Sequence, residues 1–197
     1  SGIATSSYSR LTAKMIWERQ RIRGPERTGV GLKTGRQVMA ATRVFIHGLE
    51  STSQGTKGVY FRESYPGMII EDYTGSLEER MTKLEAVLAV KEDLILVGSS
   101  YGGLMAAIYA CRHPERVRRL ILLAPAINLE EFTPYTSHAL TIPVHLYHGD
   151  QDDVVPTNEV WPVAEAVFSD LRYHLVEDDH SLHNTFPALP WAELLQD

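Results

Sequence analysis

A parallel β-sheet covered by helices on both faces is the fold class that this 197-residue sequence predicts. Three observations lead there. Six short aliphatic or β-branched runs recur along the chain, longer stretches of helical pattern separate them, and the runs are nearly continuous in apolar residues, as strands covered on both faces are. Strand followed by helix, six times over, builds a parallel sheet with right-handed crossovers. In such sheets the chemistry collects at the carboxyl ends of the strands. The length suits one domain of this kind.

The predicted strands are residues 42–46, 67–70, 93–97, 117–123, 144–148 and 173–176. The first, Thr-Arg-Val-Phe-Ile, ends at the turn-forming pair His47-Gly48. Helical patterns at 54–64 and 77–91 flank the second strand, and the third runs through Gly98 directly into a helix at 101–112. A short helical region at 129–138 separates the fourth and fifth strands, 158–168 separates the fifth and sixth, and 181–195 closes the chain. The main domain is expected over 39–197, with Met39, just ahead of the first strand, as its expected natural start.

Residues 1–38 differ in composition and read as a basic leader or an expression extension. They carry eight Lys/Arg against Glu18 and Glu26, a net +6, whereas the rest of the chain holds 11 bases and 23 acids, a net −12. Leu11, Met15, Arg19 and Ile22 stand at the spacing of a short amphipathic helix, and the stretch 24–36 is Gly-rich and linker-like. The acidic body repels phosphate backbones, so nucleic acid is not an expected partner. No stretch approaches eighteen consecutive apolar residues, so no transmembrane helix is expected, and the N-terminus lacks the apolar core of a secretory signal. A single cysteine, Cys111, excludes an intramolecular disulfide and a cysteine cage for zinc. It fits a reducing compartment, and a cytoplasmic location is the expectation.

The third strand and its helix meet at Gly98-Ser99-Ser100-Tyr101-Gly102, a Gly-x-Ser-x-Gly turn. The turning serine of such an elbow is backbone-strained, and the positions two before and two after must be small for strand and helix to approach. Ser99 would put Tyr101 at a small position, so Ser100 is the candidate nucleophile. A serine hydroxyl needs a base, and the base needs an acid to hold its tautomer. Chain order supplies both. The fifth strand runs into His148-Gly149-Asp150-Gln151-Asp152-Asp153-Val154-Val155-Pro156, and the sixth into Glu177-Asp178-Asp179-His180-Ser181-Leu182-His183. Asp150, Asp152 and Asp153 are candidate acids, and His180 and His183 candidate bases. The two histidines lack the i, i+4 helical spacing of zinc proteases, and no metal is expected.

Phe45-Ile46-His47-Gly48-Leu49, the elbow, the His148-Gly149-x-x-Asp152-x-Val154-Val155-Pro156 loop and Asp179-His180 together resemble the α/β-hydrolase family over about residues 41–195. The resemblance implies Asp152 as the acid, with Asp153 in reserve, and His180 as the base in preference to His183. It implies an oxyanion hole made by the backbone N–H groups of Leu49 and Tyr101. His47 and His148 are expected to fix loop turns and Cys111 to lie in the core. Against the full family pattern the first two strands are missing unless residues 1–38 supply them, and only 20 residues, 124–143, stand where a cap domain would be inserted.

The implied activity is a small, capless serine hydrolase cleaving short-chain carboxylic esters through an acyl-enzyme on Ser100, with no cofactor. Expected walls of the site are Leu49, Tyr101, Ile127, Phe132, Tyr135 and Val154. The partner is a small-molecule ester, and a homodimer through an uncovered sheet edge is compatible with the pattern. The triad alone does not separate esters from thioesters, amides or lactones, and a non-catalytic binding protein on the same fold is the alternative of a different class.

Overall fold

The structure, a computed structural model, describes residues 40–197, so the leader expected over 1–38 lies outside the described residues. Its first strand, β1 (Thr42–Ile46), is followed by α1 (Thr56–Ser64), β2 (Ile69–Ile70) and α2 (Leu77–Leu88). Next come β3 (Leu94–Ser99), α3 (Tyr101–Arg112) and β4 (Val117–Leu123). The chain continues through β5 (Leu140–Gly149), α4 (Thr157–Val167), β6 (Phe168–Val176), α5 (Thr185–Ala188) and α6 (Trp191–Leu194). The six strands form one sheet in the order β2-β1-β3-β4-β5-β6, with every neighbouring pair parallel.

Alternation along the strands divides the core into two layers. Val44 and Ile46, Leu94 and Leu96, Leu120 and Leu122, and Val144 and Leu146 point to one face, where Leu84, Leu88, Ile108, Val160 and Ala164 of α2, α3 and α4 cover them. Their neighbours Phe45, Ile95, Val97, Ile121, Leu123 and Tyr147 point to the other face, under Phe61 of α1, Phe186 of α5 and Trp191 of α6. Phe61 meets Phe186 and Trp191 edge-on, with centroids 5.4 and 4.8 Å apart, the arrangement that ring quadrupoles favour. The end of the chain is tied beneath this layer, because Arg43 and Arg119 donate to the carbonyls of Leu195 and Leu194 at 2.8 and 2.7 Å.

Four expected elements come out differently. The closing helix 181–195 is two single turns, α5 and α6. Leu189 precedes Pro190 and takes an extended ψ of 149°, because a proline ring disfavours the helical region for the residue before it. The region 129–138 forms a 3₁₀ helix at Glu130–Tyr135 containing Pro134. Strands β5 and β6 extend further toward their amino ends than the apolar runs suggest. Pro143, which cannot donate to a ladder, sits where the β5–β6 register shifts. The interval between β4 and β5 holds that 3₁₀ helix and no further element, so no cap domain is built there.

Candidate active site

Sterics fix the turn between β3 and α3. Ser100 adopts φ 54° and ψ −116°, outside the regions an L-residue prefers. A Cβ on Gly98 would stand 2.4 Å from the Gly102 carbonyl oxygen, and one on Gly102 would stand 2.1 Å from the Ile46 carbonyl oxygen. Both contacts are far inside van der Waals range, so only glycine lets β1, β3 and α3 converge here. The strained residue is pinned on both sides: its N–H donates to Leu123 at 2.9 Å, and its carbonyl accepts from Gly103 and Ala126 at 2.9 and 3.0 Å.

A hydrogen-bonded chain leads away from this serine. His180, in the loop after β6, places Nε2 3.0 Å from Ser100 Oγ and Nδ1 2.7 Å from Asp152 Oδ2. The other oxygen of Asp152 accepts the backbone N–H groups of Val154 and Val155 at 2.9 and 2.8 Å. The Asp152 side chain is fully buried, whereas His180 keeps 20% exposure toward the cleft. Burial pushes the Asp152 carboxyl up, but the Val155 and Val154 N–H groups and the His180 ring outweigh it and hold the group below the usual carboxylate range. With the carboxylate ionised, His180 carries its proton on Nδ1 and presents the Nε2 lone pair to the serine hydroxyl.

The loop after β1 passes beside the serine, since a Cβ on Gly48 would lie 3.4 Å from that of Ser100. His47 is 2% exposed; its Nδ1–H donates to the Gly48 carbonyl at 2.7 Å and its Nε2 accepts from the Tyr73 N–H at 2.9 Å, which fixes the turn as expected. Tyr101 opens α3, so its N–H has no carbonyl four residues back to bond. Gly48, the residue before Leu49, thus lies on backbone beside Ser100, and Tyr101 follows the serine directly.

The expected wall residues divide. Leu49 and Val154 are 53% and 64% exposed, Tyr101 is half-buried at the elbow, and Tyr135 borders a groove of about 480 Å³ between α2, α3 and the 3₁₀ helix. Ile127 and Phe132 are 1% and 0% exposed. They pack into the core and offer the cleft no surface, because their apolar side chains are drawn against the α3 side of the sheet. Asp150 and Asp153 are exposed, and His183 reaches only toward Asp179, at 3.9 Å with 79% exposure. Cys111 is buried, which pushes its thiol up to about 11.

Three supporting side chains escaped the sequence reading, and a fourth, His148, was expected only to fix a loop turn. Asp178 is 4% exposed and accepts the N–H groups of Asp179, Asn184 and Thr185, bracing the loop that carries His180. Lys57 of α1 donates to the Ser181 carbonyl at 2.7 Å in that same loop. Arg80 of α2 is 5% exposed, donates to the Gly75 carbonyl at 2.9 Å and packs over the Tyr101 ring at 5.5 Å. His148 is fully buried against Asp152. The run of acids at 177–179 and the lone arginine gave no local signal of burial, since their partners are far along the chain. Among the described residues no group of three or more His, Cys, Asp or Glu could hold a metal ion, and no helix is long and apolar enough to cross a membrane.

Residues 71–138 match a family model described as the alpha/beta hydrolase fold, a segment that contains Ser100 but neither Asp152 nor His180. The chain is 46% identical over 67 residues to cis-3-alkyl-4-alkyloxetan-2-one decarboxylase of Shewanella oneidensis, covering 32% of this chain and 20% of that protein. It spans less than a quarter of the length of the curated relatives it matches. Among solved structures it is similar to alpha/beta hydrolase domain-containing protein 10 from mouse, with TM-score 0.62 and 23% identity over 74% of this chain and 84% of that one. It is similar also to Est1E from Butyrivibrio proteoclasticus with ferulic acid bound, with TM-score 0.64 and 19% identity over 76% and 85% of the two chains.

Proposed function

We propose that this chain, whose fold is that of the α/β-hydrolases, is a serine hydrolase that cleaves short-chain carboxylic esters through an acyl-enzyme on Ser100. The observation that carries the reading is the continuous chain from Ser100 Oγ through the two nitrogens of His180 to Asp152. Ser100 attacks the ester carbonyl while His180 Nε2 takes its proton, and the imidazolium then returns that proton to the departing alcohol. Asp152 holds the ring in the required tautomer and stabilises its charged form. Water, deprotonated by His180, attacks the acyl group and releases the acid from Ser100. Negative charge on the carbonyl oxygen is met by the N–H groups of Leu49 and Tyr101, each worth about 3 kcal/mol in such a position.

Substrate size follows from what surrounds the serine. With a 3₁₀ helix in place of a cap and with Leu49 and Val154 exposed, the cleft is open and favours small acyl groups over long buried ones. The buried lone thiol favours a reducing, cytoplasmic setting. A lactone is the second reading: the Shewanella relative's name specifies an oxetan-2-one, a four-membered lactone, and a strained cyclic ester would open at the same serine.

The test is hydrolysis of p-nitrophenyl acetate, butyrate and decanoate by the wild type and by Ser100→Ala, with a β-lactone alongside. Activity that falls with chain length and disappears in the variant supports the proposal. Folded protein that hydrolyses none of these and does not react with a fluorophosphonate overturns it in favour of a binding role.

A further inference from the structure

We propose that His148 is a positioning residue that shares Asp152 Oδ2 with His180 and thereby loosens the hold of that carboxylate on the His180 imidazolium. The inference rests on the catalytic reading of Ser100, His180 and Asp152.

His148 Nε2 lies 2.9 Å from the Val155 carbonyl and 3.1 Å from Asp152 Oδ2. A carbonyl oxygen only accepts, so Nε2 carries a proton and donates in fork fashion to both oxygens. On the far side of the ring, Nδ1 lies 3.4 Å from the Tyr173 hydroxyl, which donates to the bare nitrogen. The ring has no exposed surface, and burial pulls its pKa below the usual histidine value, which favours this neutral tautomer.

Asp152 therefore has four N–H donors for the four lone-pair sites of its carboxylate. Oδ1 accepts from Val154 and Val155, and Oδ2 accepts from His180 and His148. Two imidazoles in opposite tautomers meet on one oxygen. A carboxylate oxygen that serves two donors stabilises either one less than it would alone, so the His148 bond weakens the hold of Asp152 on the His180 imidazolium. The titratable groups facing this cluster are Asp152 from the loop after β5, Tyr173 from β6 and His180 from the loop after β6. No lysine or arginine of the described residues pairs with Asp152.

The experiment compares the pH dependence of kcat/KM for p-nitrophenyl butyrate in the wild type, His148→Leu and His148→Gln. Glutamine keeps an N–H donor at the reach of Nε2, whereas leucine keeps only the bulk. The acid limb of His148→Leu, referred to that variant's own plateau, moves up by about one pH unit, while His148→Gln keeps the wild-type limb. A purely structural role would lower activity at every pH without moving the limb, and that result overturns the proposal. Nitrogen-15 shifts of the histidine rings in the unaltered protein give a readout independent of activity and of the variants' folding. An Nε2–H tautomer at His148 that persists below pH 6.5 is expected, and an Nδ1–H tautomer or ordinary titration near pH 6.5 overturns it. Loss of ester turnover from the wild type itself would count against the catalytic reading and leave this second measurement to decide on His148.

Discussion

Asp152→Asn replaces one acceptor oxygen by an NH2 group at a position where every partner is a donor. If the amide nitrogen takes the Oδ1 place it faces the Val154 and Val155 N–H groups, and if it takes the Oδ2 place it faces His180 Nδ1–H and His148 Nε2–H. No rotation of the amide avoids a donor meeting two donors. His180 can relieve its share only by moving its proton to Nε2, where the ring donates to Ser100 and can no longer accept from it. The expected loss in kcat/KM is about 10³ to 10⁴-fold, or about 4 to 5.5 kcal/mol of transition-state stabilisation. The remaining mismatch leaves buried groups unsatisfied at about 1 to 3 kcal/mol, so the melting temperature falls by a few degrees while the protein stays folded. Initial rates on p-nitrophenyl butyrate at pH 7.5, with circular dichroism to verify folding, measure both effects. Activity within tenfold of wild type would refute the tautomer argument.

Two further outcomes test the frame of the site. Gly102→Ala sets a methyl 2.1 Å from the Ile46 carbonyl oxygen, so β1 and α3 must separate by more than an ångström; we expect a loss of about 3 kcal/mol or more and a melting temperature lower by roughly 6–12 °C. Gly67→Ala, at φ 96° but with no atom within 4 Å, strains only the backbone and is expected to lose about 1 kcal/mol, so a larger effect there than at Gly102 would contradict the packing account. Stability is expected to fall as pH drops below 6.5, because burial lowers the pKa of His145, to about 4, and those of His148 and His174. Between their lowered folded values and the unfolded value near 6.5 the unfolded chain binds more protons, and each such histidine steepens the loss by about 1.4 kcal/mol per pH unit. Asp152 and Asp178, held low in the fold, add their loss at more acid pH, as their folded values are approached. A melting temperature constant from pH 7 to 5 would contradict this.

The sequence by itself determined those features that depend on near neighbours. The elbow is written in Gly98, Ser100 and Gly102 because a strained turn between a strand and a helix leaves no choice of residue size. Strands 42–46 and 117–123 and helix 101–112 end where the reading put them, since long apolar runs and abrupt turns mark both ends. The order serine, aspartate, histidine could be read because each stands just past a strand, and parallel strands bring those ends to one edge of the sheet. Pro190 was equally visible, but the expected helix over 181–195 ran through it, and the structure breaks there.

Tertiary structure alone decided which of several similar side chains meet. Asp152 and Asp153 adjoin in sequence, yet only Asp152 is turned inward to four donors, three of them from its own loop and strand and one, His180, 28 residues away. Asp178 and Asp179 adjoin too, and the former is buried because the N–H groups of Asn184 and Thr185 come back to it. Ile127 and Phe132 look like any apolar residues near a strand end, and packing against α3 rather than their own character withdrew them from the cleft. A side chain's charge state and hydrogen-bond partners are set by whatever other elements press against it. Those contacts arise from the register of β5 on β6 and the placement of α3 on the sheet, which no local run of residues encodes.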